Sequence, residues 1–240
     1  MKRVILILST VLVMISLSFI SSAVKASNPT SEIRYVAEAK VDIYREDAFN
    51  CKILSHEFDA TTGQGVIRFD GRLTKITDTA FMECDLKSLK LPDSLSEVSA
   101  NALSHVYASS FEGKHAVDNG KCIVIDNILI RFVVGYKHDE YTIPDGITEI
   151  YSSAFLFAEL KSLTIPASVN KIGSCAFVCG TGKLIMMSAT PPTIVGGELS
   201  SEWGVDRPTF SIDVYVSKGA AERYKRAPHW NKISEYIHEM

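Results

Sequence analysis

The 240-residue chain has little that would support metal, nucleotide or covalent chemistry. Its six histidines, at 56, 105, 115, 138, 229 and 238, never stand at metal-binding spacing, and its five cysteines fit no zinc pattern of two close pairs. Gly180-Thr181-Gly182-Lys183 ends like a phosphate-binding loop, yet Phe177 stands where that loop needs its first glycine and Leu184 where it needs a hydroxyl. Gly63-Gln64-Gly65 is too short for a dinucleotide fingerprint and reads as a tight turn. No Gly-x-Ser-x-Gly elbow occurs, and no cysteine has a persuasive base partner. The expectation is a non-enzyme with no catalytic residue, no cofactor and no metal site.

Basic charge is also scarce. Lys and Arg number 25 against 28 Asp and Glu, a net charge of −3. Nucleic-acid binders concentrate Lys and Arg on one face to release counterions, so nucleic acid is excluded as an expected partner. No Gly/Ser-rich or Pro-rich linker divides the chain, which reads as one structural unit.

Lys2-Arg3, the uncharged apolar run from Val4 to Ile20, and the small residues leading to Val24-Lys25-Ala26 read as a secretory signal peptide over residues 1–26. An uncleaved anchor is the alternative, since the run is just long enough to span a bilayer. Cleavage takes Lys2, Arg3 and Lys25 and no acid, leaving 22 bases against 28 acids. The first cysteine after the run is Cys51, too far away to carry a lipid. The sequence therefore predicts an exported protein (secreted, at the cell surface or periplasmic) with no membrane partner after signal cleavage. Cys51, Cys84, Cys122, Cys175 and Cys179 cannot all pair within one chain. Cys84 and Cys179 follow Ala-Phe, where Ala158 stands in a middle copy, so both read as interior fillers. A Cys175–Cys179 disulfide is the alternative in an oxidising compartment.

What the chain does have is a repeat. Leu91-Pro92-Asp93-Ser94-Leu95-Ser96-Glu97-Val98, Ile143-Pro144-Asp145-Gly146-Ile147-Thr148-Glu149-Ile150 and Ile165-Pro166-Ala167-Ser168-Val169-Asn170-Lys171-Ile172 are near copies. Leu73 to Leu95, Ile76 to Val98, Ile150 to Ile172 and Phe155 to Phe177 are each 22 residues apart. Leu86-Lys87-Ser88-Leu89-Lys90-Leu91 is answered by Leu160-Lys161-Ser162-Leu163-Thr164-Ile165, the L-x-x-L-x-L strand of a leucine-rich repeat. Alternate apolar side chains of such a strand point into the stack. Each unit reads as strand, Pro turn, second short strand and a brief helical turn at Ala80-Phe81, Ala154-Phe155 or Ala176-Phe177. The predicted fold is a leucine-rich-repeat solenoid, mainly β with short helical turns, stacked coils, an inserted β-hairpin and a C-terminal capping helix.

The predicted organisation is a signal peptide at 1–26, an N-terminal cap at 27–72, repeats at 73–103, a hairpin insertion at 104–140, repeats again at 141–190 and a C-terminal cap at 191–240. The insertion carries Cys122 to Ile125 and Ile128 to Val134, joined at Asp126-Asn127 without the usual glycine. It either protrudes as a finger or extends the sheet edge. At the end, Ser217 is expected to cap a helix from Lys218 to Arg226, with Pro228 as its stop. Tyr224, Trp230, Ile233 and Ile237 are expected to cover the last coil.

Leu73 to Cys84, Ile143 to Ile150 and Ile172 to Phe177 closely resemble the BspA-like leucine-rich-repeat proteins exported by anaerobic bacteria. The likeness extends to Gly63–Gly71 and to Val214–Trp230. The resemblance implies a secreted or surface-displayed solenoid of right-handed stacked coils, with adhesion to host matrix proteins or other cells proposed for some members, and it brings no catalytic residue. Few regular repeats and no obvious surface anchor set this chain apart from longer members.

Aligning the strands of three coils stacks Lys87, Asp139 and Lys161 in one outward column and Ser88, Glu140 and Ser162 in the next, with Lys90, Thr142 and Thr164 beside them. These nine residues are the candidate recognition face for a protein or glycan ligand. Self-satisfying surface charge is the plainer reading of the same ladder. The function expected is an exported binding module making protein or glycan contacts. A structural protein that associates weakly with itself is the alternative, and an unrecognised hydrolase the third.

Overall fold

The computed structural model describes residues 31–81, 83–136, 138–177, 182–196 and 212–240. The signal segment 1–26 and Cys179, with the Cys175–Cys179 alternative, lie outside the described residues.

The described chain opens with β1 (Ser31–Ala37), β2 (Ile53–Asp59) and β3 (Gln64–Phe69), an antiparallel sheet with β3 in the middle of these three. Ile33, Tyr35, Ile67 and Phe69 alternate onto one buried face. Gly65 has to be a glycine, because a Cβ there would lie 2.0 Å from the ring of Tyr35. Pairing becomes parallel with β4 (Lys75–Ile76), β5 (Cys84–Lys90), β6 (Glu97–Val98), β7 (Val106–Ala108) and β8 (Phe111–Glu112). β4 stacks on β6, and β5 on both β7 and β8. β1 lies antiparallel on the other side of β5, which covers the edge of the first coil.

The insertion supplies β9 (Ala116–Val117), β10 (Cys122–Ile125) and β11 (Ile128–Phe132). After it come β12 (Glu140–Thr142), β13 (Glu149–Ile150), β14 (Ser162–Ile165), β15 (Lys171–Gly173), β16 (Lys183–Met186) and β17 (Thr193–Val195). They form two parallel ladders, β12–β14–β16 and β11–β13–β15–β17, within a β-solenoid of about 7 turns. In the second ladder Ile150 faces Ile172, which faces Ile194, a spacing of one 22-residue repeat at each step.

β10 and β11 are the expected hairpin. Its two-residue turn has φ of 50° at Asp126 and 62° at Asn127, a left-handed pair that Asp and Asn tolerate without glycine. The hairpin does not protrude. Leu129 of β11 pairs with Ile150 of β13, and the Asn127 carbonyl accepts the Thr148 N–H at 2.8 Å, as the Thr148 carbonyl accepts that of Asn170 at 2.9 Å. The insertion therefore occupies the place of one more coil.

That coil is stitched to its neighbours by Arg131, which is 1% exposed. Its Nε donates to the Val106 carbonyl at 2.9 Å and its Nη1 to the Ser153 carbonyl, while the guanidinium lies 5.5 Å from the Tyr107 ring. Burial lowers its pKa to about 10, so the side chain stays charged at neutral pH.

Phenylalanine fills the axis of the stack. Phe132, Phe155 and Phe177 are fully buried, with ring centroids 4.9 Å apart for the first two and 6.0 Å for the second pair. Phe69, Phe49 and Phe81 make a similar series at the N-terminal end, at 5.1 and 5.9 Å.

The far end is closed by β18 (Asp213–Val216), α1 (Ala221–Arg226) and β19 (Ile237–Glu239). The helix starts later than expected. Ala220 rather than Ser217 is its N-cap, and the Ser217 carbonyl instead accepts the Ala220 N–H at 2.9 Å in a preceding turn. It ends at Ala227, held extended by the following Pro228. Tyr224 and Trp230 are fully buried and pack edge to face at 5.0 Å. The Trp230 Nε1 donates to the Pro192 carbonyl at 2.8 Å and the Tyr224 hydroxyl to that of Ser188 at 2.9 Å, so these aromatics are a lid bonded to the last coils.

Because Phe155 touches rings on both sides, Phe155→Ala opens a cavity between coils and is expected to lower unfolding stability by about 3–5 kcal/mol. Phe157→Ala, at a side chain 44% exposed, is expected to cost under about 1 kcal/mol. Urea denaturation of the two variants checks the difference.

Candidate recognition face

Six of the nine expected face residues come together. β12 and β14 pair Glu140 with Ser162 and Thr142 with Thr164, and just before the strands Lys161 Nζ meets Asp139 Oδ2 at 2.7 Å. Lys87, Ser88 and Lys90 lie elsewhere, on β5, whose parallel neighbours are β7 and β8 rather than β12. The carboxylate facing Lys87 is Glu38, at 3.9 Å, and Lys90 stands opposite Arg34 and Glu112. The extra coil of the insertion separates the two groups. Alignment by the 22-residue period passes over it.

The serine column also differs from expectation. Ser88 and Ser162 are each 9% exposed, while Glu140 is exposed. They offer a ligand far less than Lys161, Thr142 and Thr164 do.

The ladder continues beyond the expected residues. Thr164 faces Ile185, Ile185 faces Tyr215 and Tyr215 faces His238, so Thr142, Thr164, Ile185, Tyr215 and His238 form one row across β12, β14, β16, β18 and β19. Lys183 Nζ sits 4.0 Å from the centroid of the Tyr215 ring. The His238 ring lies 5.3 Å away on the next strand and its Nε2 is 3.0 Å from Asp213 Oδ1. Met187 is 50% exposed beside the same sheet. Alternation could have revealed these residues, since Leu184, Met186, Val214 and Val216 point inward and are at most 1% exposed. The long stretch between β16 and β18 hides the register in sequence.

An aromatic ring held beside a cation, flanked by aliphatic and hydroxyl side chains, suits contact with another protein's surface. The Asp139–Lys161 pair is exposed and worth under about 1 kcal/mol, so it orients more than it stabilises.

A model of the BspA-type leucine-rich repeat region matches six copies across residues 51–180. The chain belongs to the BspA-type leucine-rich-repeat family. No curated protein and no solved structure matches it. BspA-type leucine-rich repeats mediate protein interactions, and solenoids of this family are typically non-enzymatic and often found at surfaces or secreted. No helix among the described residues is long and apolar enough to cross a membrane.

The thiols of this BspA-type solenoid occupy contrasting sites. Cys122 is fully buried with its Sγ 3.0 Å from the Tyr141 hydroxyl, and burial pushes its pKa up to about 12. Cys84 is buried in the first coil, where a small apolar side chain was expected. Cys51 and Cys175 are half-buried thiols. Iodoacetamide at pH 8 is therefore expected to label Cys51 and Cys175 in the native protein and to reach Cys84 and Cys122 only after unfolding, as peptide mass spectrometry would read out.

Proposed function

We propose that this protein is an exported binding module, acting at the bacterial envelope or host interface, that holds a protein partner against the Thr142–His238 row. The observation that carries the reading is the Tyr215 ring set between Lys183 and His238 on a parallel ladder. Tyrosine beside a cation supplies large contact area at low entropic cost, the usual makeup of an interface anchor. Lys161 and Thr164 extend the same surface toward β12. The segment from Lys2 to Ala26 supports export, and adhesion to matrix proteins follows the resemblance to exported family members.

A second reading has one structural feature in its favour. β2 is the outer strand of its sheet, seven residues long, with Leu54 exposed, and an open edge of that kind can pair with another chain. The exposed Glu57 and Asp59 and the bulge near Leu54 blunt that edge, which favours the binding module over self-assembly.

The test uses residues 27–240 on an array of extracellular-matrix proteins. Saturable binding is expected, weakened at least about tenfold by Tyr215→Ala or Lys161→Glu and unchanged by Lys87→Glu, which sits on the other sheet. Binding that ignores Tyr215→Ala would remove the row from the proposal. A blank array together with concentration-dependent dimers would move the assignment to a self-associating structural protein.

A further inference from the structure

The loops that the insertion brings together enclose a cleft that the Tyr215 row does not use. It has a volume of about 280 Å³ and opens where the β7–β8, β9–β10 and β11–β12 connections meet. These are the loops at which the series β5, β7 and β8 ends and the β12 ladder begins.

The cleft is held in shape by backbone rather than by long side chains. Val134 N–H donates to the Ala108 carbonyl and Val133 N–H to that of Lys121, both at 2.9 Å, which ties the three loops to one another. One wall runs through Asn119 and Gly120, both left-handed at φ of 56° and 81°, and is pinned by Phe111 N–H on the Gly120 carbonyl at 2.8 Å. A site of this kind is preformed, so a ligand bears little of the cost of ordering it.

Its lining states the chemistry of the occupant. Val133 and the half-buried Tyr136 give an apolar floor, with Tyr136 braced edge to face against Phe132 at 5.2 Å. Ser109, Asn119 and His138 stand at the rim with no side-chain hydrogen bond among the described residues, the His138 ring packing 5.0 Å from that of Tyr136. Among the described residues the cleft's cation is Lys121, which is already matched by Asp118 at 3.1 Å and lies 5.6 Å from the Tyr136 ring. Among the described residues no carboxylate lines the cleft. An anion would find its cation taken, a cation would find no acid, and a purely apolar ligand would leave the rim donors and acceptors unpaired.

We infer that this cleft is a binding site for one neutral sugar residue, its apolar ring face against Tyr136 and Val133 and its hydroxyls on Ser109, Asn119 and His138. The volume lies at the small end of ligand sites and fits a single ring rather than a chain. The site shares no residue with the Tyr215 row, so the protein-binding proposal and this one can fail independently.

Saturation-transfer NMR of residues 27–240 with the methyl glycosides of glucose, galactose, mannose and N-acetylglucosamine tests it, with glucuronate as the charged control. At least one neutral glycoside is expected to bind saturably in the millimolar range and at least about fivefold more weakly to the double variant Asn119→Gly, His138→Ala. Glycine keeps the left-handed backbone at 119 while removing the amide, and thermal unfolding of the variant verifies that it folds. Tyr215→Ala is expected to leave sugar binding unchanged. Absence of transfer from every neutral glycoside, preference for glucuronate, or binding indifferent to the double variant would each overturn the inference.

Discussion

Everything in this molecule depends on the fact that one coil cannot bury its own apolar side. Each turn contributes a few inward side chains, such as Leu163 and Ile165 or Ile150 alone, and these reach full burial only because the next turn supplies the same residues in register. The phenylalanine series Phe132, Phe155 and Phe177 does the same work along the axis. Parallel pairing satisfies the backbone while the side chains interlock, so a residue's worth is set by its neighbours one repeat away.

Stacking leaves two ends and, in this chain, one interruption. Antiparallel strands close the N-terminal end, with β1 against β5 and β3 outside it. Trp230 and Tyr224 close the other by bonding back to Pro192 and Ser188. The interruption is resolved by making the insertion imitate a coil: β11 joins the second ladder and Phe132 takes the axial place. The residue that stitches it in is a charged one. Arg131 bonds carbonyls of both adjoining segments, a task no aliphatic side chain could do, and accepts the cost of burial to do it.

The same imitation shapes the surface. The second ladder carries the extra coil's hairpin, so the sheet built on β5 and the sheet built on β12 are separate faces. One ends at a cleft floored by Tyr136, and the other presents the Thr142–His238 row. Two surfaces of different chemistry arise from one repeat because the repeat is broken once.

The sequence by itself determined the class of fold, since the 22-residue spacing of Ile150 and Ile172 and of Phe155 and Phe177 can be satisfied only by stacked coils. It also determined the hairpin at Asp126-Asn127 and the aromatic lid at Tyr224 and Trp230, because local turn chemistry and large apolar side chains near an end leave few choices. It did not determine how many coils lie between Lys87 and Asp139, because β11 replaces a repeat without copying its consensus residues. That number, fixed only when Leu129 docks on Ile150, separated Lys87, Ser88 and Lys90 from the face they were expected to share. Tertiary structure likewise decided that Ser162 is buried and that Tyr215 is flanked by Lys183 and His238, since a side chain's neighbours in a solenoid come from other turns and distance along the chain does not encode them.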